Sequence, residues 1–145
     1  MKQAITPPTQ PNMSARQLSL LFLAFGVLHF VVVYLANMFF PAQVVLGNNI
    51  VSPLMALFYT VLPFTLLAVG AVPVIEYAGE IMKRSLSTME WMIAYLVLNT
   101  VVFWGLARAA EWLGMGLASW MVALVLGAIV TFLQDMVVGM IMPKK

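Results

Sequence analysis

The chain has 145 residues, of which 63% are apolar and only 8% are charged, and its formal net charge is +2. A soluble domain of this size could not cover its surface with so few charged residues, so the composition favours a membrane protein. The small net charge, with no basic stripe, argues against a nucleic-acid partner. The absence of cysteine excludes a disulfide framework and thiolate chemistry.

The first apolar run covers residues 18–40 and carries no formal charge. It exceeds the roughly 20 residues that a helix needs to cross a hydrocarbon core of about 30 Å. It is also longer than the apolar segment of a signal peptide, so we expect it to remain as a transmembrane helix. The preceding residues 1–16 contain three prolines and little to bury, which predicts a disordered cytoplasmic tail ahead of a domain over residues 17–145.

Three further apolar runs complete an all-α, four-helix transmembrane bundle. Ser52 and Pro53 have the form of an N-cap and a first helical residue, which begins a second span at 53–75, and the helical pattern continues beyond it. Ser87 and Glu90 match a capping box ahead of a third span at 88–107. A glycine-rich turn at residues 114–116 then leads to a fourth span at 117–142.

Basic residues predict the orientation of these spans. Six of the seven fall on one side of the four runs, since pairs precede the first run, separate the second from the third and follow the fourth. These six are Lys2, Arg16, Lys83, Arg84, Lys144 and Lys145. Cytoplasmic loops carry the excess of lysine and arginine, so both termini and the middle loop should be cytoplasmic.

The fourth span carries a ribbon of small or polar residues at every fourth position. Residues four apart are neighbours on a helix, and small residues let two helix backbones approach closely. The ribbon consists of Ser119, Ala123, Gly127, Thr131, Asp135 and Gly139. It predicts close helix packing, either within the bundle or between copies of the chain.

Asp135 is the one formal charge well inside a span. A carboxylate at the centre of a membrane helix costs roughly 2.5 to 3.5 kcal/mol on insertion scales, so it should face protein or water. Gln134 and Thr131 could donate hydrogen bonds to it. Asp135 is therefore either a functional site or a structural polar contact.

His29 lies near the middle of the first span. A single histidine is too little for a metal site, so we expect a hydrogen-bonded packing role, with a proton-linked pair to Asp135 as the sharper alternative. An offset of 70 residues aligns the first and third spans and places His29 opposite Asn99, and an offset of 69 aligns the second and fourth. Such a repeat would make the bundle two tandem helical hairpins.

The helices around residues 99–104 (NTVVFW) and 119–127 (SWMVALVLG) resemble those of the small four-span bacterial proteins called superfamily IV phage holins. The resemblance implies an uncharacterised envelope protein in a bacterial plasma membrane. The arginine-proline pair common in that family's second helix has no counterpart around Pro63, so no functional residue is carried over.

No motif for zinc hydrolysis, nucleotide binding or serine hydrolysis occurs, so the sequence predicts neither an enzyme nor a cofactor or metal site. Two functions stay open. The first is a non-catalytic packing, assembly or holin-like envelope component, with the lipid bilayer and further membrane proteins or copies of the chain as partners. The second is a small oligomeric channel or a proton- or cation-linked transporter that uses Asp135.

Overall fold

A computed structural model describes residues 14–141, which form five helices and two short strands. In chain order these are α1 (Ala15–Phe39), β1 (Val44–Leu46), α2 (Pro53–Ile81), α3 (Thr88–Arg108), α4 (Ala110–Leu113), β2 (Met115–Leu117) and α5 (Trp120–Ile141). Helices α1, α2, α3 and α5 have 25, 29, 21 and 22 residues and are long and apolar enough to cross a membrane. The four predicted helices are thus confirmed.

The helix bounds differ from the predicted spans at three places. Helix α1 begins at Ala15, whereas the predicted tail ended at residue 16. Residues 1–13 of that tail lie outside the described residues. Helix α2 continues to Ile81, as the pattern indicated. Helix α5 begins at Trp120, three residues later than predicted, because residues 115–117 form β2.

Serine side chains cap three of the long helices at their N-termini. Ser14 and Ser87 each accept a hydrogen bond from the backbone N–H three residues ahead, and the side chain at that position bonds back to complete a capping box. Ser52 caps α2 by accepting from the Met55 N–H without the return bond, and Pro53 occupies the first helical position. The predicted caps at Ser52 and Ser87 are confirmed, while the sequence interpretation missed the cap at Ser14.

The described chain is mostly helical, as the all-α prediction expects, and in addition the two interhelical loops at one end pair as a short antiparallel ladder. Val44 lies opposite Leu117, Val45 opposite Gly116 and Leu46 opposite Met115. The amide of Asn48 extends this connection by donating to the carbonyls of Ala110 and Glu111, at 3.0 and 3.1 Å. The ladder satisfies backbone groups that a bare loop would leave to water. We call this end of the bundle the sheet end, and the opposite end, near Arg16, Lys83 and Arg84, the basic end.

The long helices pack as two hairpins. Helix α1 lies against α2, and α3 lies against α5; α1 also contacts α5, and α2 contacts α3, which closes a ring of four. The approach between α3 and α5 is closest at Gly127, where an added Cβ atom would lie 2.6 Å from Thr100 Oγ1 and 3.0 Å from Thr100 N. A side chain at this position has no room, so glycine is what allows the two backbones to meet.

The small-residue ribbon of α5 divides into two parts. Ala123, Gly127 and Thr131 are buried inside the bundle, Ser119 is partly buried, and Asp135 and Gly139 are exposed. The buried part therefore serves packing within the chain. The exposed part leaves open space beside Gly139, where nothing lies within 4 Å of an added Cβ atom.

Two apolar clusters form the core. One lies toward the sheet end and includes Val33, Phe64 and Phe103, while the other lies toward the basic end and includes Leu21 and Phe25. Between them, every long helix places polar side chains in the bundle interior. Along the bundle axis, a layer of polar side chains therefore lies between the two apolar clusters.

Candidate functional site

The polar layer between the two clusters contains one or two buried side chains from each long helix. Its members are His29 from α1, Thr65 from α2, Asn99 from α3, and Thr131 and Gln134 from α5. All five are at most 5% exposed. Burying this many polar groups in an apolar bundle is costly unless they bond to one another.

Hydrogen bonds join the five side chains into one network. The Asn99 amide donates to Gln134 Oε1 at 2.7 Å and to Thr131 Oγ1 at 2.9 Å, and the Thr131 hydroxyl donates to the Gly127 carbonyl at 2.7 Å. The Gln134 amide nitrogen lies 2.9 Å from His29 Nε2. An amide nitrogen can only donate, so His29 Nε2 accepts this bond.

The bonds of His29 define its protonation state. Because Nε2 accepts from Gln134, the ring is neutral and its proton is on Nδ1, which lies 2.9 Å from Thr65 Oγ1 and donates to it. The ring also packs between aromatic neighbours, with centroids 4.1 Å from Phe64 and 6.0 Å from Phe25. His29 is therefore hydrogen-bonded on both ring nitrogens and packed inside the bundle.

The two hairpins contribute equivalent pairs to this layer. His29 and Thr65 bond within the first hairpin, and Asn99 and Gln134 bond within the second. The offset of 70 relates His29 to Asn99, and the offset of 69 relates Thr65 to Gln134. The bond between His29 and Gln134 then joins the two pairs across the bundle. Positions aligned by the repeat thus occupy matching places in the fold.

Asp135 does not belong to this layer. It lies on the outer side of α5, exposed, while the preceding Gln134 faces inward. The nitrogens of His29 bond to Thr65 and Gln134, so the geometry does not contain the alternative pair between His29 and Asp135. Of the five residues predicted to form an intramembrane polar site, the structure brings together Gln134, Thr131, His29 and Asn99 and places Asp135 apart.

Asp135 instead lines a cavity of about 120 Å³ between α2, α3 and α5 near the basic end. Glu76 of α2 lines the same cavity, together with the aromatic rings of Trp91 and Tyr95 and the inner side chain of Gln134. One oxygen of Glu76, Oε2, is buried without a hydrogen-bond partner. The cavity therefore touches the polar layer at Gln134 and carries two acidic groups, each within about 10 Å of a helix end at 1.5 Å per residue.

Within residues 14–141, no three histidine, aspartate or glutamate side chains are grouped closely enough to hold a metal ion. Most donors and acceptors of the polar layer are occupied by one another, while the side-chain oxygen of Asn99 is buried without a hydrogen-bond partner. The arrangement can hold four helices in register. The cavity, by contrast, is open to a ligand.

Sequence reasoning missed four members of these sites, namely Thr65, Glu76, Trp91 and Tyr95. Thr65 could have been found from the repeat, because the offset of 69 aligns it with Gln134. Glu76 was assigned to the helix end. That it lines the same cavity as Asp135 depends on how α2 and α5 pack, which no sequence spacing encodes. Tyr95 gave no signal before its hydroxyl was seen to donate to the Ala68 carbonyl at 3.0 Å.

Comparisons of the chain with protein-family models, with curated proteins and with solved structures find no match. The function must therefore be argued from the polar layer, the cavity and the distribution of charge.

Proposed function

We propose that the chain is an integral membrane protein of a bacterial plasma membrane, with both termini and the loop between α2 and α3 in the cytoplasm. Its four long helices have the length and apolarity that a bilayer requires. Arg16, Lys83 and Arg84 lie together at the basic end, where the positive-inside rule expects the cytoplasm. The two hairpins are a tandem repeat related by an axis along the membrane normal, which the equivalent hydrogen-bonded pairs support.

The function that the geometry supports best is non-catalytic. The chain acts as a packing or assembly component of the envelope, of the holin-like kind that the sequence resembles, and it binds further copies or other membrane proteins through its outer faces. The observation that carries this proposal is the closed polar layer. Its five side chains bond to one another, which favours a rigid unit over one that exposes reactive groups.

Assembly is tested by crosslinking in native membranes and by blue-native electrophoresis in a mild detergent. We expect an oligomer or a complex of fixed stoichiometry, and Gly139→Leu should weaken it because Gly139 is an exposed member of the α5 ribbon. The matched control is Gly105→Leu, which alters an equally open glycine on α3 outside the ribbon. A monomer that carries no partner under all these conditions would contradict the proposal.

A channel or cation-linked transporter is the second candidate, and one observation favours it. Asp135 and Glu76 line the same cavity within helices that are long enough to cross a membrane. Ionisable residues at such positions are functional candidates by default. In proteoliposomes under a pH gradient, this candidate predicts cation flux that falls at least tenfold in Asp135→Asn and stays unchanged in Glu111→Asn. Liposomes with no flux above the protein-free level would exclude it.

A further inference from the structure

The cavity between α2, α3 and α5 combines negative charge with aromatic walls. Glu76 and Asp135 supply two carboxylates, while Trp91 and Tyr95 supply two rings whose centroids lie 6.1 Å apart at an angle of 19°. The hydrogen bond from the Tyr95 hydroxyl to the Ala68 carbonyl holds that ring against α2. Faces of tryptophan and tyrosine attract cations, and the attraction increases when the site excludes water.

Within residues 14–141, neither acidic group of the cavity forms an ion pair, although Lys83 and Arg84 line a neighbouring cavity with Glu76. The ion pair at the basic end joins Arg84 to Glu90, not to either cavity carboxylate. Glu76 Oε2 is buried and has no hydrogen-bond partner. A carboxylate oxygen removed from water without a partner is unfavourable, and a bound cation would relieve that cost.

The equivalent positions of the first hairpin carry apolar residues instead. The repeat relates Trp91 to Leu21, Tyr95 to Phe25 and Asp135 to Leu66. The burial agrees with this pairing, since Phe25 and Tyr95 are both buried and Leu66 and Asp135 are both exposed. The first hairpin therefore packs with apolar residues where the second has an acid, an indole and a phenol. Within the repeat, these three groups occur only in the second hairpin.

The size of the cavity limits what it can hold. Its volume of about 120 Å³ is well below the roughly 300–1,000 Å³ of pockets for drug-sized ligands. It is close to the roughly 150 Å³ of an engineered cavity that binds benzene. Apolar side chains, among them Val72 and Val138, line the rest of the cavity. A metal ion that holds its hydration water strongly would gain little from such walls.

We propose that this cavity is a binding site for a small organic ammonium ion. The positive nitrogen lies against the Trp91 and Tyr95 rings, Glu76 and Asp135 balance its charge, and its alkyl groups contact the apolar wall. This site goes beyond the assembly function and does not depend on it, because all of its residues belong to one chain.

The test is equilibrium binding of radiolabelled tetramethylammonium to the purified full chain in an uncharged detergent. We expect saturable binding of one ion per chain, displaced by unlabelled tetramethylammonium but not by the same concentration of sodium chloride. Asp135→Leu and Glu76→Gln should each weaken binding at least tenfold, and Trp91→Leu should weaken it several-fold. Glu111→Gln, which removes a carboxylate at the sheet end, should bind as the wild type does.

The variants Asp135→Leu and Trp91→Leu introduce the residues that the first hairpin already uses, so both should still fold, and Asp135→Leu should leave the melting temperature unchanged. The proposal is overturned if the folded wild type shows no saturable binding, or if sodium competes equally. It is also overturned if Asp135→Leu and Glu76→Gln both bind like the wild type, which would indicate association with the detergent micelle alone.

Discussion

Gly127→Ala should lower the free energy of unfolding by about 1–3 kcal/mol, the usual cost of overpacking a close contact. An alanine Cβ atom would lie 2.6 Å from Thr100 Oγ1, 3.0 Å from Thr100 N and 3.2 Å from Thr100 Cα. The hydroxyl can rotate away, but the backbone of α3 cannot, so the two helices must separate. The measurement is unfolding by titration with a denaturing detergent, followed by tryptophan fluorescence.

Gly139→Ala is the matched control for this prediction. It makes the same change in the same helix, but nothing lies within 4 Å of the added Cβ atom. Its stability should be unchanged or slightly raised, because alanine favours a helix more than glycine does. Equal effects of the two substitutions would mean that the approach of α3 and α5 at Gly127 is not close in the folded protein.

Gln134→Leu should also destabilise the protein, by about 1–3 kcal/mol, through the polar groups that it leaves without partners. The amide of Gln134 is 2% exposed, and it donates to His29 Nε2 and accepts from Asn99 Nδ2. Leucine can do neither. A single hydrogen bond in a membrane protein contributes about 0.6 kcal/mol on average. A larger loss of unfolding free energy would therefore reflect the cost of leaving His29 and Asn99 without this partner.

Two further variants separate this explanation from a general loss of packing. Gln43→Leu makes the same replacement at an exposed glutamine beside the sheet end and should have little effect. The double variant His29→Leu with Gln134→Leu should lose less free energy of unfolding than the sum of the two single variants. Each single variant leaves the other residue without its partner, whereas the double variant removes both polar groups. Strict additivity would show that the bond between His29 and Gln134 does not contribute to stability.

Much of the helical framework could be read from the sequence. Runs of apolar residues specify membrane-length helices by their length alone, and Ser52 and Ser87 marked helix starts because a capping side chain acts within four residues. The offset of 70 also placed His29 opposite Asn99, and both proved to be buried in one polar layer. These features depend on local spacing or on a repeat, and both can be detected in the sequence alone.

The remaining features depend on contacts between distant segments. The ladder between β1 and β2 pairs segments of three residues that lie about 70 positions apart, which is too short a pattern to detect. The inward-facing side chain of Gln134 and the outward-facing one of Asp135 depend on how α5 is rotated in the bundle. One helical step separates an interior amide from an exposed carboxylate, and the packing of α5 against α1 and α3 determines which residue lies inside.

The ladder ties the two hairpins together at one end of the molecule. At the basic end they are joined by the connection between α2 and α3, by the apolar cluster near that end, and by the hydrogen bond from the Tyr95 hydroxyl to the Ala68 carbonyl. A relative motion of the hairpins that keeps the ladder intact must therefore disturb the packing at the basic end. The cavity beside Glu76 and Asp135 is lined by helices of both hairpins, so its width is a dimension that such a motion changes.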